Sequence, residues 1–141
     1  MKMWDETKNV DMVDDIMEFA KRFCPDQLTD APRIPDENLK ALRRRMIVEE
    51  VVEELLVAMD TDDLVEVADA GCDSIVVIIG MMIAYGIPIK ECWREVHRSN
   101  MAKAQPDGSV KRREDGKVLK PEGWTPPNIY RIINHAMGGN A

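Results

Sequence analysis

Acidic residues recur at helical spacing inside an otherwise strongly aliphatic stretch from Arg43 to Asp73, RRRMIVEEVVEELLVAMDTDDLVEVADAGCD. An ionised carboxylate taken out of water is costly unless it is paired or holds a cation, so acids placed among core residues ask for a compensating charge. At about 100° of helical rotation per residue, Glu53 lies about 60° from Glu50 and Glu49 about 100° from it, while Leu39, Met46 and Val57 fall within roughly 40°. Glu50 and Glu53 therefore sit on a stripe that would otherwise be core. In the next segment Asp62, Glu66, Asp69 and Asp73 share a sector of about 60°, continued by Val76 and Gly80.

If the two segments pack antiparallel through the short Met59-Asp60-Thr61-Asp62 turn, the acidic patches face each other, and like charges held that close repel unless a cation lies between them. Oxygen ligands, with no cysteine or histidine at the matching turns, favour Mg²⁺ or Mn²⁺ over zinc. A solvated charged face is the competing reading of either helix alone. Two stripes embedded in apolar sequence weigh against it.

The elements that must position these acids are helical. Apolar residues at Val10, Val13, Ile16, Met17, Ala20 and Phe23 mark a first helix. Pro25, Pro32 and Pro35 punctuate a loop, expected as a crossover or flap, and Asp36 is the expected N-cap of a second helix running to about Met59. A third helix is expected from Thr61 or Asp62 to Tyr85-Gly86, and a fourth, opened by Pro88, from Ile89 to about Lys103. Two Asp-Gly pairs at 107–108 and 115–116 bracket a basic segment that predicts turns and a short β-hairpin, and a short last helix is expected over Asn128 to Met137. The expected fold is thus all-α, a four-helix bundle core with a C-terminal hairpin or turn segment, forming one domain over residues 1–141.

Hydrophobic residues make up 45% of the 141 and aromatics only 5%, so aliphatic side chains and ten methionines must fill the interior. A net charge of −7 argues against nucleic acid as the main partner but admits phosphorylated substrates, because a metal inverts the sign of an acidic site. Three widely spaced cysteines, Cys24, Cys72 and Cys92, suggest a reduced, cytoplasmic setting, with Cys72 packed as a small hydrophobe. The acidic N-terminus does not read as a signal peptide, and Ile75 to Ala84 is too short to span a bilayer, so no membrane is expected. The aliphatic surface of the second and third helices points to a homodimer or homotetramer.

Glu49-Glu50-x-x-Glu53, twelve further residues and then Glu66-x-x-Asp69 resemble the EExxE...ExxD signature of the MazG-like all-α nucleoside triphosphate pyrophosphohydrolases. Glu95-Val-His-Arg-Ser-Asn-Met-Ala-Lys103, followed by Asp115-Gly-Lys-Val-Leu-Lys-Pro-Glu-Gly-Trp124, is similar to the subgroup that covers phosphoribosyl-ATP pyrophosphohydrolase-like proteins and bacterial all-α dUTP diphosphatases. The resemblance implies hydrolysis of a nucleoside triphosphate between the α and β phosphates, with dUTP or another unwanted triphosphate as substrate and phosphoribosyl-ATP as the alternative. By the same resemblance Glu50, Glu53, Glu66 and Asp69 match the metal ligands. Glu49 matches a position for a further metal or for orienting the attacking water, and Asn100 and Lys103 match positions near the phosphates. Lys117 and Lys120, on the expected hairpin, are candidates to close over phosphates, with a solvated turn as the alternative. Trp124 reads as a packing anchor before it reads as a base-stacking platform.

The chemistry agrees with the residues. A triphosphate brings about four negative charges to a site already rich in carboxylates, so two or more divalent ions are needed, and a carboxylate such as Glu49 is placed to accept a proton from water. A di-iron carboxylate protein would want Glu-x-x-His pairs, and neither His97 nor His135 has a glutamate three residues before it. A non-catalytic nucleotide-binding or interaction bundle is the remaining alternative, against which the full acid set stands.

Overall fold

The computed structural model describes residues 9–139. Helix α1 spans Met12–Phe23, capped by Asp11, whose carboxylate accepts from the Asp14 N–H at 2.9 Å. Ile16 and Ala20 form its buried face. Asp36 caps α2 (Glu37–Ile47) through the Leu39 N–H, as the sequence predicts. The helical rod continues without a break through a π-helical segment, Val48–Leu55, into α3 (Leu56–Met59). In the π segment the Leu56 N–H reaches back five residues to the Val51 carbonyl. Such widened turns are rare and concentrate at functional sites.

Helix α4, Leu64–Ala84, begins two or three residues later than expected because Asp63 is its cap, accepting from the Val65 and Glu66 N–H groups. Asp62 therefore falls in the turn and drops out of the acidic stripe. The buried face of α4 is made of small residues, Ala70, Ser74, Val77, Gly80 and Ala84, with Ile83 beside them. Small side chains allow α1, α2 and the π segment to pack closely on it. By length and hydropathy α4 would reach across a bilayer, yet it carries Glu66, Asp69 and Asp73 and serves here as the helix on which the others pack.

The loop between α1 and α2 is pinned. Pro25–Gln27 form a 3₁₀ turn, and the Arg33 N–H donates to the Tyr85 carbonyl at 2.9 Å. The Arg33 side chain donates to the carbonyls of Ala84 and Gln27, so a cation closes the negative end of α4. Gly86, with φ +67°, lies where this loop crosses; a Cβ there would collide with the Ala31 carbonyl.

The chain falls into two compact units, one ending at Ile87 and one beginning at Pro88. The first holds α1 through α4, so three helical rods pack together where a four-helix bundle was expected. The expected fourth helix is α5, Ile89–Met101, which belongs to the second unit with α6, Ile129–Ala136. No strand occurs among the described residues. The expected hairpin reduces to a single antiparallel bridge between Arg112 and Val118, flanked by Arg113 N–H to Lys117 O and Leu119 N–H to Lys111 O bonds. Asp107 and Asp115 turn the chain by accepting backbone N–H bonds two residues on, and the glycines after them have positive φ. The turns form as read, but two short, largely charged and exposed arms have no apolar face or third strand to extend the ladder.

Among the described residues Arg43 is the one basic residue in the core of the first unit, 7% exposed, and it donates through Nε and Nη2 to the Gln27 side-chain oxygen. Gly80 makes room for it: a Cβ would stand 2.6 Å from Nη1. Alanine is the better helix former by about 1 kcal/mol, so on propensity alone Gly80→Ala would stabilise. Displacing a buried guanidinium from its acceptor outweighs that gain. Urea denaturation of Gly80→Ala is expected to show a net loss of about 1–3 kcal/mol.

Candidate active site

The π segment and α4 bring Glu50, Glu54 and Asp73 together, with one oxygen from each carboxylate within 4.8 Å of the others. Among the described residues this is the one group of three or more acids, thiols or imidazoles so placed. Its floor is Ser74, 4% exposed, whose hydroxyl donates to the Ala70 carbonyl at 2.8 Å and the Glu50 carbonyl at 3.2 Å. That contact ties the widened turn to α4 one residue from Asp73.

Glu50 is half-buried, and its Oε2 is sealed from solvent without a hydrogen-bond donor. Its pKa is pushed up from the ordinary carboxylate range, first by a side-chain hydrogen bond with Glu54, then by desolvation, then by the charges of Glu54, Asp73 and Glu49. Protons and metal ions compete for such a cluster. A hard divalent cation would supply the positive charge that no group among the described residues is seen to provide and would take up the orphaned oxygen, so the residues present fit a metal ion.

Of the expected ligands the structure therefore places Glu50 in the cluster, while Glu53, Glu66 and Asp69 stand exposed outside it. The geometry explains the difference. A turn closed by i to i+5 bonds is wider than an α-turn, so residues four apart, Glu50 and Glu54, come nearly into line while Glu50 and Glu53 separate. On α4 the acidic stripe starts in solvent at Glu66 and Asp69 and enters the packed region only at Asp73. Glu49 is exposed, and its charge is felt at Glu50. Glu54 lies about 40° from Glu50 at 100° per residue, nearer than Glu53, and was passed over in favour of the acids that the resemblance matches. The pairwise alternation Glu49-Glu50-Val51-Val52-Glu53-Glu54-Leu55-Leu56, which repeats every four residues and not every 3.6, was the available signal.

In the second unit, Asn100, Lys103 and Lys120 converge on Trp124. Lys103 Nζ donates to the Asn100 side-chain oxygen at 2.9 Å and lies 5.9 Å from the indole centroid; Lys120 Nζ lies 4.5 Å from it. The indole N–H donates to the Ser99 carbonyl at 2.6 Å. The last four carbonyls of α5 are thereby satisfied, those of Arg98, Asn100 and Met101 by the N–H groups of Ala102, Lys103 and Ala104. Trp124 thus anchors the tail and also gathers cations. Lys117 is exposed and is not among the groups on that ring. Nearby, Glu95 accepts from Nε and Nη2 of Arg98 and from the Asn128 N–H, which hold its carboxyl down at about 2 and fix the start of α6.

All three cysteines are free thiols, and Cys72, expected to pack as a small hydrophobe, is exposed because it lies on the outer side of α4 between Gly71 and Asp73.

An all-helical chain that gathers carboxylates suited to a hard cation has the parts a metal-assisted hydrolase of phosphoric anhydrides needs. The profile of the phosphoribosyl-ATP pyrophosphohydrolase family matches residues 16–100, and the chain belongs to that MazG-like all-α family. Its class of activity is pyrophosphohydrolysis, typically metal-dependent. No curated protein matches the chain.

A carboxyl with a raised folded pKa favours folding while it is protonated, and that contribution is lost as pH rises through the folded value. Metal-free protein is therefore expected to lose stability with rising pH across the Glu50 titration, and Glu50→Gln to remove that slope, as read by urea denaturation over a pH series in chelator.

Proposed function

We propose that this chain is a divalent-metal-dependent nucleoside triphosphate pyrophosphohydrolase, cleaving between the α and β phosphates to release a monophosphate and pyrophosphate. The proposed substrate is dUTP or another unwanted nucleoside or deoxynucleoside triphosphate. The observation that carries the reading is the sealed, donorless Glu50 Oε2 inside a carboxylate trio. Family membership supports the reaction class.

Glu50, Glu54 and Asp73 would hold Mg²⁺ or Mn²⁺, and the bound ion would polarise the phosphoryl group and acidify a water. Glu49, exposed beside them, is assigned the proton from that water. Glu53, Glu66 and Asp69, the acids matched by resemblance, are the candidates for a second ion, since a triphosphate adds about four charges to the site. Asn100, Lys103, Lys117 and Lys120 are assigned to the phosphates, where a lysine supplies a point charge and several donors. Phosphoribosyl-ATP is the second reading, favoured by the family profile itself.

A panel of triphosphates including dUTP, dCTP and dTTP, with phosphoribosyl-ATP alongside, separates these readings by pyrophosphate release with Mg²⁺ or Mn²⁺. No release from any member ends both. Glu54→Gln and Asp73→Asn are each expected to cost at least about 100-fold in turnover and at least about 10-fold in Mn²⁺ affinity, the scale seen even for outer partners of metal ligands.

The second helical rod and α4 leave aliphatic side chains in solvent, among them Val52 at 51%, Leu56 at 50% and Val76 at 40% exposed. We assign this surface to self-association, as a dimer or tetramer. Sedimentation of the wild type against Val52→Glu is expected to show a shift to smaller species in the variant.

A further inference from the structure

Within the second unit, the first half of α5 and the face of α6 turned toward it enclose a groove of about 460 Å³. Its walls follow from helical spacing. Pro88, Glu91 and Arg94 stand three residues apart and share one face of α5. On α6 the pairs Arg131–His135 and Ile132–Ala136, each four apart, share the facing side. The two helices are held together without spending that side: the Asn128 side chain caps α6 through the Arg131 N–H, and the Asn128 N–H donates to Glu95. The family profile ends at residue 100, so α6, which supplies half of the groove, lies beyond the part of the chain that the profile covers.

The groove has an apolar floor and a charged rim. Pro88, Ile132 and Ala136 form the floor and are half-buried, while Arg94, Arg131 and His135 are exposed on the rim. Two acids also line it, and both are compensated. Glu95 takes Nε and Nη2 of Arg98 and the Asn128 N–H, and Arg131 acts on it only as a charge. Glu91 lies in the first turn of α5, where the positive end of the helix offsets a carboxylate. With Arg98 included, three guanidinium groups stand against two carboxylates, a local surplus of one positive charge in a chain of net charge −7. A hydrocarbon floor beside such a rim is complementary to an organic anion, and a surplus of one suits a single negative charge better than a dianionic phosphate. Planar guanidinium groups also match the two oxygens of a carboxylate.

We propose that the groove between α5 and α6 is a binding site for a small monocarboxylate carried on a flat apolar body. The body rests on Pro88, Ile132 and Ala136, Arg94 and Arg131 take the carboxylate from opposite walls, and His135 offers a further donor. The site is built from the second unit alone, so it stands whether or not the first unit hydrolyses a triphosphate.

The test titrates the full-length protein with 2-naphthoate, followed by calorimetry and by the NMR signals of the Ile132 methyl groups. Binding with a Kd below about 1 mM is expected, with the Ile132 signals shifting on the same curve. Arg94→Gln and Arg131→Gln alter exposed side chains and are each expected to weaken it about 10-fold, the size of one lost charge-assisted contact. Arg22→Gln, on α1, is expected to leave it unchanged. 2-Naphthylmethanol, the same body without the charge, is expected to bind at least about 10-fold more weakly. Unmoved Ile132 signals, wild-type affinity in both arginine variants, or equal binding of the alcohol would overturn the site. Tighter binding of 2-naphthyl phosphate than of 2-naphthoate would overturn the choice of a monocarboxylate.

Discussion

Three carboxylates held within reach of one another, one with an oxygen shut away from water, set the terms for the first unit. Such an arrangement is unfavourable by itself, because each negative charge raises the cost of the next and burial removes the water that would screen them. The surrounding structure nevertheless enforces it. Ser74 ties the Glu50 backbone to α4, and Ala70, Gly80 and Ala84 offer a flat surface on which the rods pack closely. The pKa of Glu50 is raised accordingly, first by the side-chain hydrogen bond with Glu54 and then by desolvation. A fold that holds charges in this relation is pre-organised for a cation, since little further ordering is needed when one binds.

The π-helical segment brings Glu50 and Glu54 closer to one line on the rod. A regular α-helix over Val48–Leu55 would have carried Glu54 farther round the axis from Glu50 and Glu53 nearer to it. The segment lacks proline and glycine, so the widening has no local breaker behind it and follows from packing against α4. In the second unit the same logic runs with the opposite sign. Trp124 closes the end of α5 and collects ammonium groups in a chain that is acidic as a whole.

Much of the architecture was legible from residue types. The helices were placed to within a few residues, because apolar periodicity, the Asp36 cap and the Gly86-Pro88 stop are local signals that act on a few neighbouring bonds. The start of α4 was misplaced because three candidate caps stand in a row, Thr61, Asp62 and Asp63, and only the backbone decides which carboxylate meets the free N–H groups. The hairpin was over-read for a related reason. Asp-Gly pairs specify turns, whereas a ladder needs a partner surface that turn residues say nothing about.

The candidate site was legible as a region and not as a set. That acids in the second helix and in α4 come together was available from type and spacing. The sequence by itself determined the chemistry on offer, a surplus of carboxylates in aliphatic helices and a basic tail, because composition and periodicity are properties of the chain. Tertiary structure decided which oxygens meet, choosing Glu54 and Asp73 as the neighbours of Glu50 and Trp124 as the mount for two lysines. Helical projection assumes a uniform rotation per residue. Packing changed that rotation over one segment, which brings Glu54 closer to line with Glu50 and carries Glu53 farther from it.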